Sequence, residues 1–452
     1  MNEIVESVNG AQLADEQRLI AIGQQVLEEA RGQGASAAEA SISVGTGLSV
    51  SVRRGEVDTL EHERDRSLAV VVYMGQRSGA ASTADFSPRS LQATVAAACS
   101  IARYTSEDPA RGLADPALLA TDFPDLDLHH PWPLSADQAI ERALAAEASA
   151  RDADSRISDC DSATVTTGEG IRVYLNSNGF VGSRRGTRHG VSCIAIARDD
   201  AGMQRDYWFS VARSADELES PADVGRRAGE RAASRLGSRR LQTGRVPVLY
   251  TPMMARGVIG QFLGAISGGN LYRKSSFLLD RLGEQVFPAH VQMQEHPHRP
   301  RGLASAAFDD EGVATRDCTV VEDGRLQTYL LDSYAGRRLG RQSTGHAGGV
   351  HNLEVRSGDK DFTQLLRTMD SGLVVTELMG QGGNLVTGDY SRGAAGFWVE
   401  NGEIAYPVEE ITVAGNLRDM FAGLQAVGAD RDERGSIITG SLLFEQMTVA
   451  GK

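Results

Sequence analysis

The sequence predicts an α+β protein, with a helix-plus-antiparallel-meander N-terminal half and a strand-dominated C-terminal half. Three observations carry that prediction. Apolar residues recur at every second position in separate stretches, as half-buried strands require. Capped helix starts punctuate those stretches. Glycine is abundant, 50 of 452 residues, which suits many tight turns, and no fixed repeat period accounts for it.

Taken in order, a first helix is expected from about Asp15 to Arg31, where Leu19, Ile20, Ile22, Val26 and Leu27 fall at near-helical spacing. A meander follows: Ile42 and Val44, then Leu48, Val50 and Val52, then Leu68, Val70, Val72 and Met74, broken at Gly45-Thr46-Gly47 and at a Gly55 turn. Ser87-Pro88 opens a second helix, a capping residue before a proline at the first helical position. Residues 105–133, rich in Asp and Pro, read as a long surface crossover. A capping box at Ser135 to Gln138 starts an alanine-rich helix to about Asp154. A second meander spans roughly 156–211, with turns at Asn178-Gly179 and Asp200-Ala201-Gly202. Ser220-Pro221 caps a helix ending near Leu236.

Beyond this the composition shifts, and the main boundary is placed near residue 240. Residues 1–240 then form an N-terminal region, with two subdomains if it splits near 105–134, and 241–452 form a β-rich domain. Val246 to Tyr250 is an apolar strand that Thr251-Pro252 breaks, and Met253 to Ile266 can form a helix. Asp323-Gly324 and Asn401-Gly402 mark hairpins, and glycine-rich connectors occupy 345–349 and 380–383.

Charge and cysteine usage exclude several classes of protein. With 46 Lys+Arg against 60 Asp+Glu the net charge is −14, so a duplex nucleic acid meets net repulsion. The short basic runs Arg184-Arg185 and Arg299 to Arg301 read as solvated faces rather than binding patches. Cys99, Cys160, Cys193 and Cys318 are scattered without a C-x-x-C pair, which fits reduced thiols in the cytoplasm rather than a disulfide framework. The opening MNEIVESVNG has no basic n-region or apolar h-region, so no secretory signal is expected. No apolar run reaches the ~18 residues of a membrane span.

Three stretches resemble the TldD/PmbA peptidase family: GVIGQFLGAISGGNLYRK from Gly257, STGHAGGVHNLEV from Ser343, and the long block from Thr387 to Phe421. With the N-terminal meander the resemblance covers nearly the whole chain, and it points to the PmbA (TldE) branch and a TldD/PmbA-like fold. What the resemblance implies is a cytoplasmic proteolytic role. The active relatives carry H-E-x-x-x-H on the helix after the strand matching Val246–Tyr250; two histidines and a later cysteine hold zinc, with the glutamate as general base. Anchored on Arg273-Lys274, that motif falls on Gly260, Gln261 and Ala265, and nothing after Cys318 is a cysteine. The degenerate motif implies no catalytic residue and no metal in this chain. Gly264 precedes the position of the second histidine, where it either eases a bend or allows close packing against another backbone.

The expected role is therefore that of a subunit without zinc ligands, with zinc in a TldD-type partner, or a homodimer when alone. Unfolded peptides are the expected substrates, and the resemblance implies microcin-precursor maturation and degradation of the CcdA antitoxin. The alternative is a non-proteolytic binding or regulatory protein acting on gyrase-related partners. A self-contained hydrolase has least support, because no nucleophile elbow or phosphate loop is visible. Among other candidates, His346 and His351 flank Gly348-Gly349. They read either as a tight turn with locally bonded imidazoles or as a substrate-cavity wall whose exposed amides pair with an extended peptide. His296-Pro297-His298 beside Glu295, and His129-His130, read as surface loops, and Asp309-Asp310-Glu311 as a charged hairpin loop.

Overall fold

The computed structural model describes residues 16–200 and 202–451. The N-terminal segment, the expected helix start at Asp15 and Ala201 of the second meander's turn lie outside them. Helix α1 (Glu16–Gly32) precedes strands β1 (Ala37–Arg53), β2 (Glu56–Met74) and β3 (Arg77–Thr83). Helix α2 (Pro88–Tyr104) is capped by the Ser87 side chain, and α3 (Ala136–Asp152) by the capping box of Ser135 and Gln138. Strands β4 (Ile157–Asn176), β5 (Val181–Arg198) and β6 (Met203–Ala212) form the second meander, and α4 (Pro221–Ser234) follows it.

The two meanders are one sheet. Its order is β3-β2-β1-β4-β5-β6, because β1 pairs along its length with β4. Two helix pairs cover one face: α1 and α2 bury Ile42, Val70 and Val173, while α3 and α4 bury Val50, Val165 and Cys193. The alanine-rich pair packs very closely, since a Cβ on Gly225 would overlap the Ala146 carbonyl.

Two expectations fail here. Gly45-Thr46-Gly47 does not break the first strand, which runs through with Gly45 paired to Asp65 and to Gly170. And β2 begins twelve residues before Leu68, through an exposed stretch from Glu56. That stretch is mostly charged, with Val57 and Leu60 exposed, and has no alternation to reveal it; ladder pairing to β1 holds it extended.

The C-terminal half opens with β7 (Gly244–Tyr250), α5 (Pro252–Ala265) and the short α6 (Gly268–Tyr272). A small sheet contains β8 (Met293–Glu295), β9 (Cys318–Glu322), β10 (Arg325–Leu326), β11 (Leu353–Val355) and β16 (Ile437–Ile438). Helices α7 (Ser333–Arg338), α8 (Phe362–Met369) and α9 (Leu417–Ala422) pack around it and around the larger sheet. That larger sheet adds β12 (Gly372–Met379), β13 (Asp389–Glu400), β14 (Glu403–Asn416), β15 (Leu424–Val427) and β17 (Leu442–Ala450) to β7. β7 and β12 run parallel, and α5 begins the crossover between them. The hairpin turns fall where their residues allow φ > 0: Asp323 and Gly324 at 47° and 73°, Asn401 and Gly402 at 54° and 74°.

The 105–133 segment is a surface crossover that is docked on the C-terminal half. Ala120 donates to Gly312, Leu119 bridges Val313, the Tyr334 hydroxyl donates to Asp108, and Arg337 reaches the carbonyls of Ala110, Gly112 and Leu113. Among the described residues no helix is long and apolar enough to cross a membrane.

Candidate functional site

Helix α5 starts where β7 ends: Thr251 takes the extended cap conformation and Pro252 presets the first helical φ. Its inward stripe, Ala255, Val258, Ile259, Phe262 and Ala265, joins the largest core. The outward stripe is Arg256, Gly257, Gly260 and Gly264, half-exposed. Gly260 faces open space, with nothing within 4 Å of an added Cβ. Ala265 faces the other way and is fully buried. Gln261 lies under the 380–383 connector, where a Cβ on Gly383 would overlap its Oε1.

Of the two expected explanations of Gly264, close packing against another backbone does not hold. The helix ends one residue later, and the Gly264 carbonyl accepts hydrogen bonds from Ser267 N, Ser267 Oγ and Asn270 Nδ2 at 3.3, 2.9 and 2.8 Å. A Cβ at Gly264 would meet the Leu385 side chain at 3.1 Å, not a backbone.

The C-terminal stretch 435–444 comes back to α5, with Gly435 beside Arg256. Here Ser441 is fully buried, its hydroxyl donating to Asp430 at 2.6 Å and its N–H at 2.9 Å. Arg256, one turn before Gly260, pairs with Asp432 at 2.6 Å and donates to the Arg434 carbonyl at 3.1 Å. A hydrogen, an amide and a methyl supply no zinc donor set, and the Arg256 guanidinium one turn away repels a cation. The residues do not fit the ion, and no catalytic step in this chain runs through it. Among the described residues, no cluster of three His, Cys, Asp or Glu side chains could hold a metal.

His346 and His351 converge on a carboxylate that sequence reasoning placed elsewhere. Glu295 occupies the inward slot of β8 after Met293, 1% exposed. His346 Nε2 donates to its Oε2 at 2.5 Å, His351 Nδ1 lies 3.2 Å from Oε1, and the His351 N–H also donates to Oε1. Burial alone would raise this carboxyl, but hydrogen bonds and charge from both imidazoles hold it at about 2. His346 Nδ1 lies 2.9 Å from Thr344 Oγ1, which engages both ring nitrogens. Gly348 and Gly349, at φ 99° and 113°, turn the chain between the histidines; a Cβ on Gly348 would meet Asp310, while Gly349 is open. Sequence reading singled out the two histidines; the signal for Glu295 was an acidic residue continuing the apolar alternation of Val291 and Met293.

Other sequence candidates are tied into the framework. His296 faces Asp317 at 3.3 Å and His298 faces Thr315 at 3.1 Å, so neither reaches Glu295. His129 and His130 are half-buried rather than exposed: His129 lies 3.2 Å from Glu169, and the His130 N–H donates to Thr187 Oγ1 at 2.9 Å. Arg299 pairs with Glu433, and Arg301 with Asp127 and Glu217. Cys160 and Cys193, distant in sequence, bring their sulfurs within 3.4 Å as buried free thiols.

Models of PmbA/TldA metallopeptidase domain 1, central domain and C-terminal domain match residues 38–102, 129–236 and 243–451. The chain is 48% identical over 402 residues to metalloprotease PmbA of Escherichia coli O157:H7, and 48% identical over 402 residues to the PmbA homolog of Haemophilus influenzae. Each match covers 89% of both chains. A Bacteroides thetaiotaomicron crystal structure, described as a candidate modulator of DNA gyrase, superposes with a TM-score of 0.90 at 29% identity, covering 96% of this chain and 98% of that one. TldE of Thermococcus kodakarensis shares the fold, with a TM-score of 0.83 at 20% identity over 95% of this chain and 100% of that one. This chain belongs to the PmbA/TldD metallopeptidase family.

Proposed function

We propose that this chain is the non-catalytic subunit of a heterodimeric metallopeptidase, whose zinc is held by a TldD-type partner and whose joint cavity admits unfolded peptides. One observation supports the reading: on α5, which follows β7, the positions that the resemblance gives to the ligand set hold Gly260, Gln261 and Ala265. A wall without chemistry still orients substrate and excludes bulk water, both real terms in catalysis. Substrates of the microcin-precursor and antitoxin kind are part of the same reading.

The test combines metal analysis with a peptide assay, the purified chain alone and mixed with a zinc-bearing TldD-type chain. No stoichiometric zinc and no cleavage are expected alone, with cleavage on mixing. Zinc bound tightly by the isolated chain, or cleavage by the partner that this chain does not alter, overturns the reading.

A further inference from the structure

The N-terminal sheet has a second face, turned away from its helices. There Gly45 and Gly47 of β1 stand opposite Gly170 and Gly168 of β4, and Gly170 stands opposite Gly186 of β5. Three adjacent strands therefore carry no side chain at the same level, and a trough results. Two adjoining cavities of about 480 and 470 Å³ occupy it, and Leu303 to Ser305 of the C-terminal half line one end.

The walls are oppositely charged. On β2, Asp65 and Glu63 sit opposite Gly45 and Gly47. Across the floor, three strand spacings or about 14 Å away, stand Arg184 and Arg188 of β5, with Arg172 and Arg213 beside them. That width keeps the two walls from pairing with each other: among the described residues, neither Glu63, Asp65 nor Arg188 has an ion-pair partner. The basic wall is also under-neutralised. Arg172 and Arg184 share the single Asp310 carboxylate at 2.9 Å each. Arg213 donates only to main-chain carbonyls, of Thr187, Leu303 and Gly302. Burial pulls the Arg213 guanidinium below its ordinary pKa, and the Arg188 and Arg184 charges add to the effect. Four guanidiniums thus face one carboxylate.

We infer that this trough binds an extended polypeptide segment whose acidic side chains lie against the arginine wall. The flat floor admits a chain without a matching pocket for each residue, and the charge excess selects carboxylates. The opposite acidic wall disfavours a polyphosphate backbone, which would present anions to both sides. This inference rests on the reading of the chain as a peptide-handling subunit and adds a substrate preference to it.

Fluorescence anisotropy on the full chain, with a labelled unstructured Asp/Glu-rich peptide and a neutral peptide of equal length, tests it. The acidic peptide should bind more tightly, and added salt should weaken it. Arg188→Glu, an exposed change, should weaken it by about tenfold or more, and Gly170→Leu should abolish binding by filling the floor. Glu63→Gln should leave binding equal or tighter. Equal affinity for both peptides, or unchanged affinity in Arg188→Glu with its melting curve intact, overturns the inference. The two readings fail separately. Binding without cleavage on mixing with the zinc-bearing partner sinks the subunit role alone. Cleavage with Arg188→Glu inert in both assays sinks the trough alone.

Discussion

Helix α5 and the Glu295 cluster are complementary failures to make a metal site. The helix lies beside the C-terminal stretch, but offers no donor at 260, 261 or 265 and carries the Arg256–Asp432 pair. The cluster holds two imidazoles and a carboxylate within 3.2 Å, but they are committed to one another in a buried pocket. A metal centre needs donor atoms with free lone pairs and a route to solvent. Residue type alone supplies neither.

The comparison breaks most visibly at Glu295. Glu295→Ala removes the acceptor of both imidazoles and of the His351 N–H, and should cost about 3–5 kcal/mol in urea unfolding. A loss within the range of a surface substitution would mean the cluster holds nothing together.

Acid titration sharpens the same point. Glu295 is depressed from 4.5 unfolded to about 2 folded, so the unfolded chain binds the extra proton as pH falls. Its contribution, about 3 kcal/mol, is fully present above pH 4.5 and disappears as pH drops towards 2. The fall should be missing from a Glu295→Gln titration.

Glu311 supplies the opposite sign. Burial raises its carboxyl to about 7, the Ser333 hydrogen bonds offset part of this, and Asp309 and Asp332 add to it. A raised folded value means stability that is complete below pH 4.5 and lost as pH climbs through 7. Glu311→Gln should therefore match the parent at pH 4 and exceed it by about 2–3 kcal/mol at pH 8. Identical pH–stability curves for the two proteins would contradict this.

The helix itself gives the smaller effects. Ala265→His forces an imidazole into a full core and should cost about 1–3 kcal/mol. Gly260→Ala, in open space on the same helix, should gain about 0.5–1 kcal/mol from helix propensity. Thermal melts of the pair check both, and equal shifts would show that the two positions do not differ in packing.

Much of the architecture was legible because its causes are local. Ser87-Pro88, the Ser135–Gln138 box and the Asp323-Gly324 and Asn401-Gly402 turns act within a few residues, so their chemistry is visible in the chain. Gly45-Thr46-Gly47 misled, because glycine signals a turn locally and yet runs straight through when neighbours on both sides pair with it. The polar start of β2 carried no signal, since its extension comes from the partner strand.

The sequence by itself determined which atoms are available: no side chain at 260, an amide at 261 and a methyl at 265, whatever the fold. Only the tertiary structure decided which atoms meet. It joined β1 to β4 into one sheet, set four glycines of β1 and β4 and one of β5 on a shared face, and brought Glu295 to His346 and His351 across 51 and 56 residues. Identity is a property of each residue, but proximity depends on the ladder registers and packing of the whole chain.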